Sequence, residues 1–349
     1  MEEYLLENEE SEEEGMNEHY RLTVEPGQSM IRIDRFLTNR IENASRSRVK
    51  AAADAGNILV NEVPVKASYK VKPNDEIRIV MDYAREEFKI IPEEIPLNIV
   101  FEDDQLIVIN KPAGMVVHPG HGNYSGTLVN ALAWYLKDLP LFHSEDLRPG
   151  LIHRIDKDTT GLLVVAKTSR AKNNLALQFY EKKSERRYQA LVWGIPKENA
   201  GTVTGNIGRN PKNRQQFIVF PDGSVTGMGK PAITHFTVLK HLGYVSLIGC
   251  RLETGRTHQI RVHMKYINHP LFNDSVYGGD QILRGTTFAR YRQFVQNCFK
   301  LLPRQALHAK TLGFVHPETG KNMLFDSELP EDMATVIKKW ENYIANRYE

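Results

Sequence analysis

Asp156 stands in a dense polar cluster directly ahead of an apolar run. The stretch is GLIHRIDKDTTGLLVVAK, residues 150–167, and it places His153, Arg154, Lys157 and Asp158 around that carboxylate. Nearby cations favour an ionised carboxylate. An ionised carboxylate can attack an electrophilic carbon or remove a proton. It cannot serve as a proton donor. An aspartate that merely caps a turn before a strand would present the same pattern, so the cluster alone leaves both readings open.

A second group of polar residues lies in LETGRTHQIRVH, residues 252–263, with Arg256, His258, Arg261 and His263 close together and Gly255 at a turn. The segment can be written as a strand or as a helix. As a strand, period two sets His258, Ile260 and Val262 on one face and Gln259, Arg261 and His263 on the other. Arg261 can then turn inward and grip a carboxylate bidentately. Tyr188, in ERRYQALVWG, is an aromatic among basic residues at the start of a strand pattern, able to stack on a base or simply to fill a core. The glycine- and proline-rich KPAGMVVHPG, residues 111–120, reads equally as a wall beside a site and as a stiff turn.

Other chemistries find little footing. The histidines lack HExxH spacing, and His269, Asp274 and Asp280 add no close ligand pair, so no metal is expected. There is no GxSxG, GxGxxG or GxxxxGK[ST], so neither a serine nucleophile nor a nucleotide cofactor is announced. The two cysteines, Cys250 and Cys298, have no CxxC partner and read as core thiols.

The elements that must position these groups fall into two units. Residues 1–19 form an acidic tail that reads as disordered; the first twenty residues hold nine glutamates and no lysine or arginine. Residues 20–81 read as a small α/β unit with two helices and short strands. Its second helix, ASRSRVKAAADAG, carries Arg46, Arg48 and Lys50, which suit phosphate contacts, though a solvated face would look alike. Residues 82–96 are charged, contain Pro92 and Pro96, and read as a linker. Residues 97–349 alternate strands with a few helices, at TLVNALAWYL, RAKNNLALQFYEK and EDMATVIKKWENYI. The regular strand–helix repeats of a barrel or Rossmann fold are missing, so the class is mixed α+β. The net charge of +2 conceals an asymmetry: without the first twenty residues the chain carries 45 basic and 34 acidic residues. A basic body suits a polyanionic partner. No long apolar run marks a membrane span and the acidic start is no secretory signal, so a cytoplasmic location is expected.

With these motifs in order, the chain resembles the pseudouridine synthases that modify large-subunit ribosomal RNA and some transfer RNAs. The resemblance rests on HRIDKDTTG, KPAGMVVHPG, RRYQALVWG, LETGRTHQIRVHM, HPLFNDSVYGG and RQALHAKTLGFVHPETG. It begins near residue 20, where the first unit resembles an RNA-binding module of ribosomal-protein type. Two departures are mild: Ile155 replaces the common leucine, and Arg186 stands where the family usually has lysine. The resemblance implies a mainly antiparallel sheet with a central cleft, no cofactor, no metal and a monomer. It implies roles as well: Asp156 as the catalytic aspartate, Arg261 as its partner, Tyr188 stacking on the uracil, Ile260 packing on the base's other side, and Arg154 filling the space a flipped nucleotide leaves. His153 and Arg256 are expected to join Arg46, Arg48 and Lys50 in holding substrate. The expected reaction isomerises uridine in structured RNA, with binding that weakens as salt rises.

Overall fold

The computed structural model describes residues 17–41, 44–81, 90–120, 123–142, 148–213, 216–220 and 229–346. Most of the expected acidic tail and the first part of the expected linker lie outside these residues. The chain divides into two compact units, residues 1–88 and 89–349.

The first unit contains β1 (Asn17–Thr23), α1 (Ile33–Arg40), α2 (Arg46–Asp54), β2 (Ile58–Val60), β3 (Val63–Pro64) and β4 (Glu76–Met81). The first strand takes in residues 17–19, ahead of the expected boundary at residue 20, because β1 pairs antiparallel with β4 from Asn17↔Met81 onward. The sheet runs β1-β4-β2-β3. Ile33, Phe36 and Leu37 of α1 are fully buried against Ile58 and Ile77 of the sheet, the spacing of an amphipathic helix face. Ser45 caps α2 by accepting the Arg48 backbone N–H at 3.3 Å, which satisfies one of the helix's open donors.

The second unit is organised around one large sheet. Its elements are β5 (Ile99–Glu102), β6 (Leu106–Lys111), α3 (Leu128–Tyr135), β7 (Thr160–Ala166), α4 (Ser169–Tyr180), β8 (Glu185–Trp193), β9 (Ala200–Arg209), β10 (Phe217–Phe220), β11 (Lys230–Leu242), β12 (Val245–Leu252), α5 (Gln259–Tyr266), α6 (Ala289–Leu301), β13 (Leu307–Val315), β14 (Asn322–Asp326) and α7 (Glu331–Ala345). The strand order is β10-β9-β11-β12-β8-β13-β7-β6-β5, with β14 also on β13. Every pairing is antiparallel except β7 with β13. Residues 90–96, expected as linker, belong to this unit: the Glu93 carboxylate accepts the Gly126 N–H at 3.0 Å and Asn130 donates to the Ile91 carbonyl at 2.8 Å.

Period two assigns each strand's side chains to two cores. On β7, Leu163 and Val165 join one cluster, while Leu162, Val164 and Ala166 join another under α4. On β8, Tyr188, Ala190 and Val192 face the first cluster, and Leu191 and Trp193 face a third built by α6 and α7 around Trp340. Both faces of the central strands are therefore covered, as their near-continuous apolar sequences require. The first cluster floors the cleft. It brings Tyr188 of β8, Ile260 of α5 and Ile155 of the loop before β7 together.

The segment at 258–263 is a helix start, which removes the strand option. His258 takes a left-handed backbone conformation (φ 57°) and α5 begins at the next residue. Gln259 secures that start: its side chain accepts from Thr254 Oγ1 (2.7 Å) and the Arg256 N–H (3.0 Å), and donates to the Ile233 carbonyl (2.9 Å).

Candidate active site

The loop between α3 and β7 delivers Asp156 to the cleft, and two buried cations hold that loop. Lys111, the last residue of β6, is fully buried. Its Nζ donates to the carbonyls of Pro112 (2.7 Å), Met115 (2.8 Å) and Lys157 (2.8 Å). One ammonium therefore ties the KPAGM turn to the residue next to Asp156. Burial pulls its pKa down to about 7, partly offset by the Asp158 carboxylate. Arg304 donates to the Asp158 carbonyl at 3.0 Å while gripping Asp332 through two bonds of 2.8 Å. The Asp156 carbonyl itself accepts the Thr159 N–H at 3.1 Å, closing the turn.

Arg261 projects from α5 and reaches two carboxylates. It is bidentate to Asp274, with Nε–Oδ2 at 2.7 Å and Nη2–Oδ1 at 2.9 Å. Its remaining Nη1 donates to Oδ2 of Asp156 at 3.1 Å. The bidentate partner is thus Asp274, and Asp156 receives a single bond. Asp274 is fully buried and also accepts the N–H groups of Val276 (3.1 Å) and Tyr277 (3.2 Å). These carboxylates raise the pKa of the guanidinium against the opposing effect of burial. A buried charge is tolerable when paired and hydrogen-bonded in this way. The consequence for Asp156 is directional: one oxygen is held by Arg261.

His258 completes that corner. Its Nε2 lies 4.0 Å from Oδ2 of Asp156, and its Nδ1 is 2.8 Å from the Tyr277 hydroxyl. That hydroxyl already accepts the Phe217 N–H at 3.2 Å. Burial lowers the His258 pKa, against the opposing pull of the Asp156 carboxylate.

Asp156, Tyr188, Ile260, Arg261, Arg154 and Arg256 all line one open cleft. Tyr188 is buried, and burial raises the pKa of its hydroxyl. Arg154 is exposed at the rim, and the Nε of Arg256 donates to the Pro231 carbonyl at 3.0 Å. His153, expected to hold substrate, is placed elsewhere. Its ring stacks on Phe179 (4.6 Å between centroids) and its Nε2 accepts the Val164 N–H at 3.2 Å. It does not line the cleft, and it fastens the loop to β7. Arg46, Arg48 and Lys50 are exposed on α2 of the first unit, with Arg46 Nη2 3.4 Å from Asp34. Among the described residues, no group of three His, Cys, Asp or Glu side chains is arranged to hold a metal.

The arrangement is that of a carboxylate aimed by a guanidinium, beside an aromatic and an aliphatic wall. The family described as RNA pseudouridylate synthase matches residues 105–266, the span that supplies Asp156, Tyr188 and Arg261, and the S4 domain matches residues 31–77. An uncharacterized RNA pseudouridine synthase of Chlorobaculum parvum is 46% identical over 320 residues, which cover 91% of this chain and 96% of that protein. The chain belongs to the RNA pseudouridine synthase family. The ribosomal large subunit pseudouridine synthase D of Zymomonas mobilis is 43% identical to this synthase, over 88% of its chain and 93% of the relative. The fold is shared with the solved human RNA pseudouridylate synthase domain containing 4, at a TM-score of 0.54 and 22% identity over 70% of this chain and 93% of that one. As an RNA pseudouridine synthase it isomerises uridine within RNA, a rearrangement that neither gains nor loses atoms.

Sequence reasoning saw Asp156 and Arg261 but missed the cations and anions behind them. Lys111 was legible only as the edge of a loop, and Asp274 only as a weak metal candidate. Nothing in one sequence pairs Arg261 with a carboxylate thirteen residues on.

Proposed function

We propose that this synthase converts specific uridines of large-subunit ribosomal RNA to pseudouridine, with Asp156 acting on the ribose of a flipped-out nucleotide. The observation that carries the reading is the Asp156–Arg261 bond of 3.1 Å within a cleft walled by Tyr188 and Ile260. The names of the relatives from Zymomonas mobilis and Nitrosomonas europaea support the choice of RNA.

The chemistry follows from the groups present. Asp156 either attacks the anomeric carbon or removes the proton from the adjacent sugar carbon, and both routes use the carboxylate. The freed uracil turns and rejoins through carbon 5. Hydrolysis would call for a second carboxylate and room for water. Here Asp274, the other acid of the corner, is fully buried and committed to Arg261. Flipping a nucleotide out of structured RNA costs a few kcal/mol. Stacking on Tyr188 returns about 1–3 kcal/mol, and Ile260 covers the opposite face. Arg154 enters the space the nucleotide vacates, Arg256 holds the backbone at the cleft, and Arg46, Arg48 and Lys50 contribute phosphate contacts.

Asp156→Asn tests the reading. It keeps the side chain's shape and the Arg261 contact but removes the nucleophile. The expected outcome is loss of pseudouridine formation by at least about a thousandfold with RNA affinity nearly unchanged. Mapping pseudouridine across total RNA with and without this gene identifies the target. Sites in transfer RNA alone would redirect the choice of substrate. Free uracil with an abasic product would make the protein a hydrolase, and no modified site on any RNA would make it a binding factor.

A further inference from the structure

Arg186 brings to the cleft a guanidinium with one orphaned donor. It lies on β8 two residues before Tyr188, is 8% exposed, and lines the same cleft as Asp156. Its Nε is buried without a hydrogen-bond partner, and no ion pair reaches its guanidinium among the described residues. Its guanidinium lies over the face of Phe179, 5.2 Å from the ring centroid. The neighbouring carboxylates are committed to other cations. Glu185 pairs with Arg187 at 2.5 Å, Glu253 with Lys182 at 3.5 Å, and Asp156 with Arg261 at 3.1 Å. The opposite wall leaves room for the head group: a Cβ built on Gly255 would lie 3.1 Å from Nη1 of Arg186.

A buried cation without an anion is costly, and a fold retains one where something else supplies the charge. What enters this cleft is a ribonucleotide. Its uracil and ribose are neutral, and its only anions are the phosphodiesters on either side of the ribose. A planar guanidinium is suited to such a group, which it can grip with two N–H donors. We propose that Arg186, flanked at the cleft by Arg154 and Arg256, forms a subsite for the phosphodiester adjoining the flipped uridine. The subsite fixes the ribose against Asp156 through its own phosphate. This rests on the reading of the cleft as a uridine site.

Uridine and its 5′- and 3′-monophosphates serve as probes of the full-length protein, with affinities measured by calorimetry. The wild type is expected to bind at least one monophosphate about tenfold more tightly than uridine, the size of one charge-assisted hydrogen bond. In Arg186→Met, which keeps an apolar body against Phe179, that ratio should fall to about twofold or less. Should Arg186→Met fail to fold, Arg186→Lys replaces the fork with a point charge, and its ratio should fall about threefold. An unchanged ratio in the folded variant overturns the proposal. So does a wild type that binds neither monophosphate better than uridine. A purely structural stacking role would lower the melting temperature and leave the ratio intact. The reading of the cleft is separable: an Asp156→Asn protein that still forms pseudouridine removes the catalytic assignment but leaves the ratio standing, whereas a flat ratio beside an inactive Asp156→Asn removes only the phosphate subsite.

Discussion

Arg261 serves two carboxylates of different purpose. Two donors are spent on Asp274, a residue with no exposure, and one on Asp156, which faces the cleft. The pairing to Asp274 fixes the angle from which Nη1 reaches Asp156. Asp274→Asn should therefore lower kcat by roughly ten- to a hundredfold with little change in KM, since the interaction lost is one of orientation. It should also destabilise the protein by about 3–5 kcal/mol, because Arg261 would keep a buried charge with half its support gone. Urea unfolding and single-turnover kinetics on the same preparation separate the two effects. Asp156 was legible in the sequence because its cluster is local: His153, Arg154 and Lys157 adjoin it in the chain. Even there, locality misled. His153 adjoins Arg154 but turns to Phe179, because the chain is irregular between them and neighbouring side chains diverge.

At the scale of elements, the junction of β7 with β13 sets the position of the Asp156 turn. These are the only parallel neighbours among the described strands of the large sheet, and they meet at His308↔Thr160 and Ala309↔Gly161. Gly161 has φ +116°, and a Cβ there would come within 2.2 Å of the Ala309 carbonyl oxygen. Only glycine permits that approach. Gly161→Ala should force β7 away from β13 and move the Asp156 turn with it. The expected outcome is a joint fall in melting temperature and activity, in contrast to Asp156→Asn, which should lose activity at unchanged stability. The alternating strands and the helices α3, α4 and α7 were legible as patterns. Helix α6 and strands β9 and β10 went unread, and α5 stayed ambiguous. Its first six residues, Gln259 to Met264, are all buried. A segment enclosed on every side shows neither period two nor period 3.6.

Over the whole molecule, burial of histidine writes a pH dependence into the fold. Burial lowers the pKa of His153 to about 3, with help from Arg186, and those of His263 and His308 to about 4. In the unfolded chain each returns to about 6.5. As pH falls below about 6.5 the unfolded state takes up protons first, so stability is complete above that pH and declines towards pH 4. Each histidine contributes up to about 1.4 kcal/mol per pH unit. Urea midpoints should fall between pH 6.5 and 5, a window above most carboxylate titration, and a flat profile there would contradict the burial of these rings.

The sequence by itself determined what is local or periodic: the strands with alternating faces, the acidic start and basic body, the mixed fold class, and the aspartate among its cations. It also carried the family, because several long motifs in order are specific. The tertiary structure alone decided which charges meet. Lys111 beneath the Asp156 turn, Asp274 behind Arg261 and Arg186 over Phe179 depend on strand register and on the packing of α5 against β9, β10 and β11. Coulombic and hydrogen-bond energies act over a few ångströms of space, and separation along the chain says nothing about that distance once it has folded.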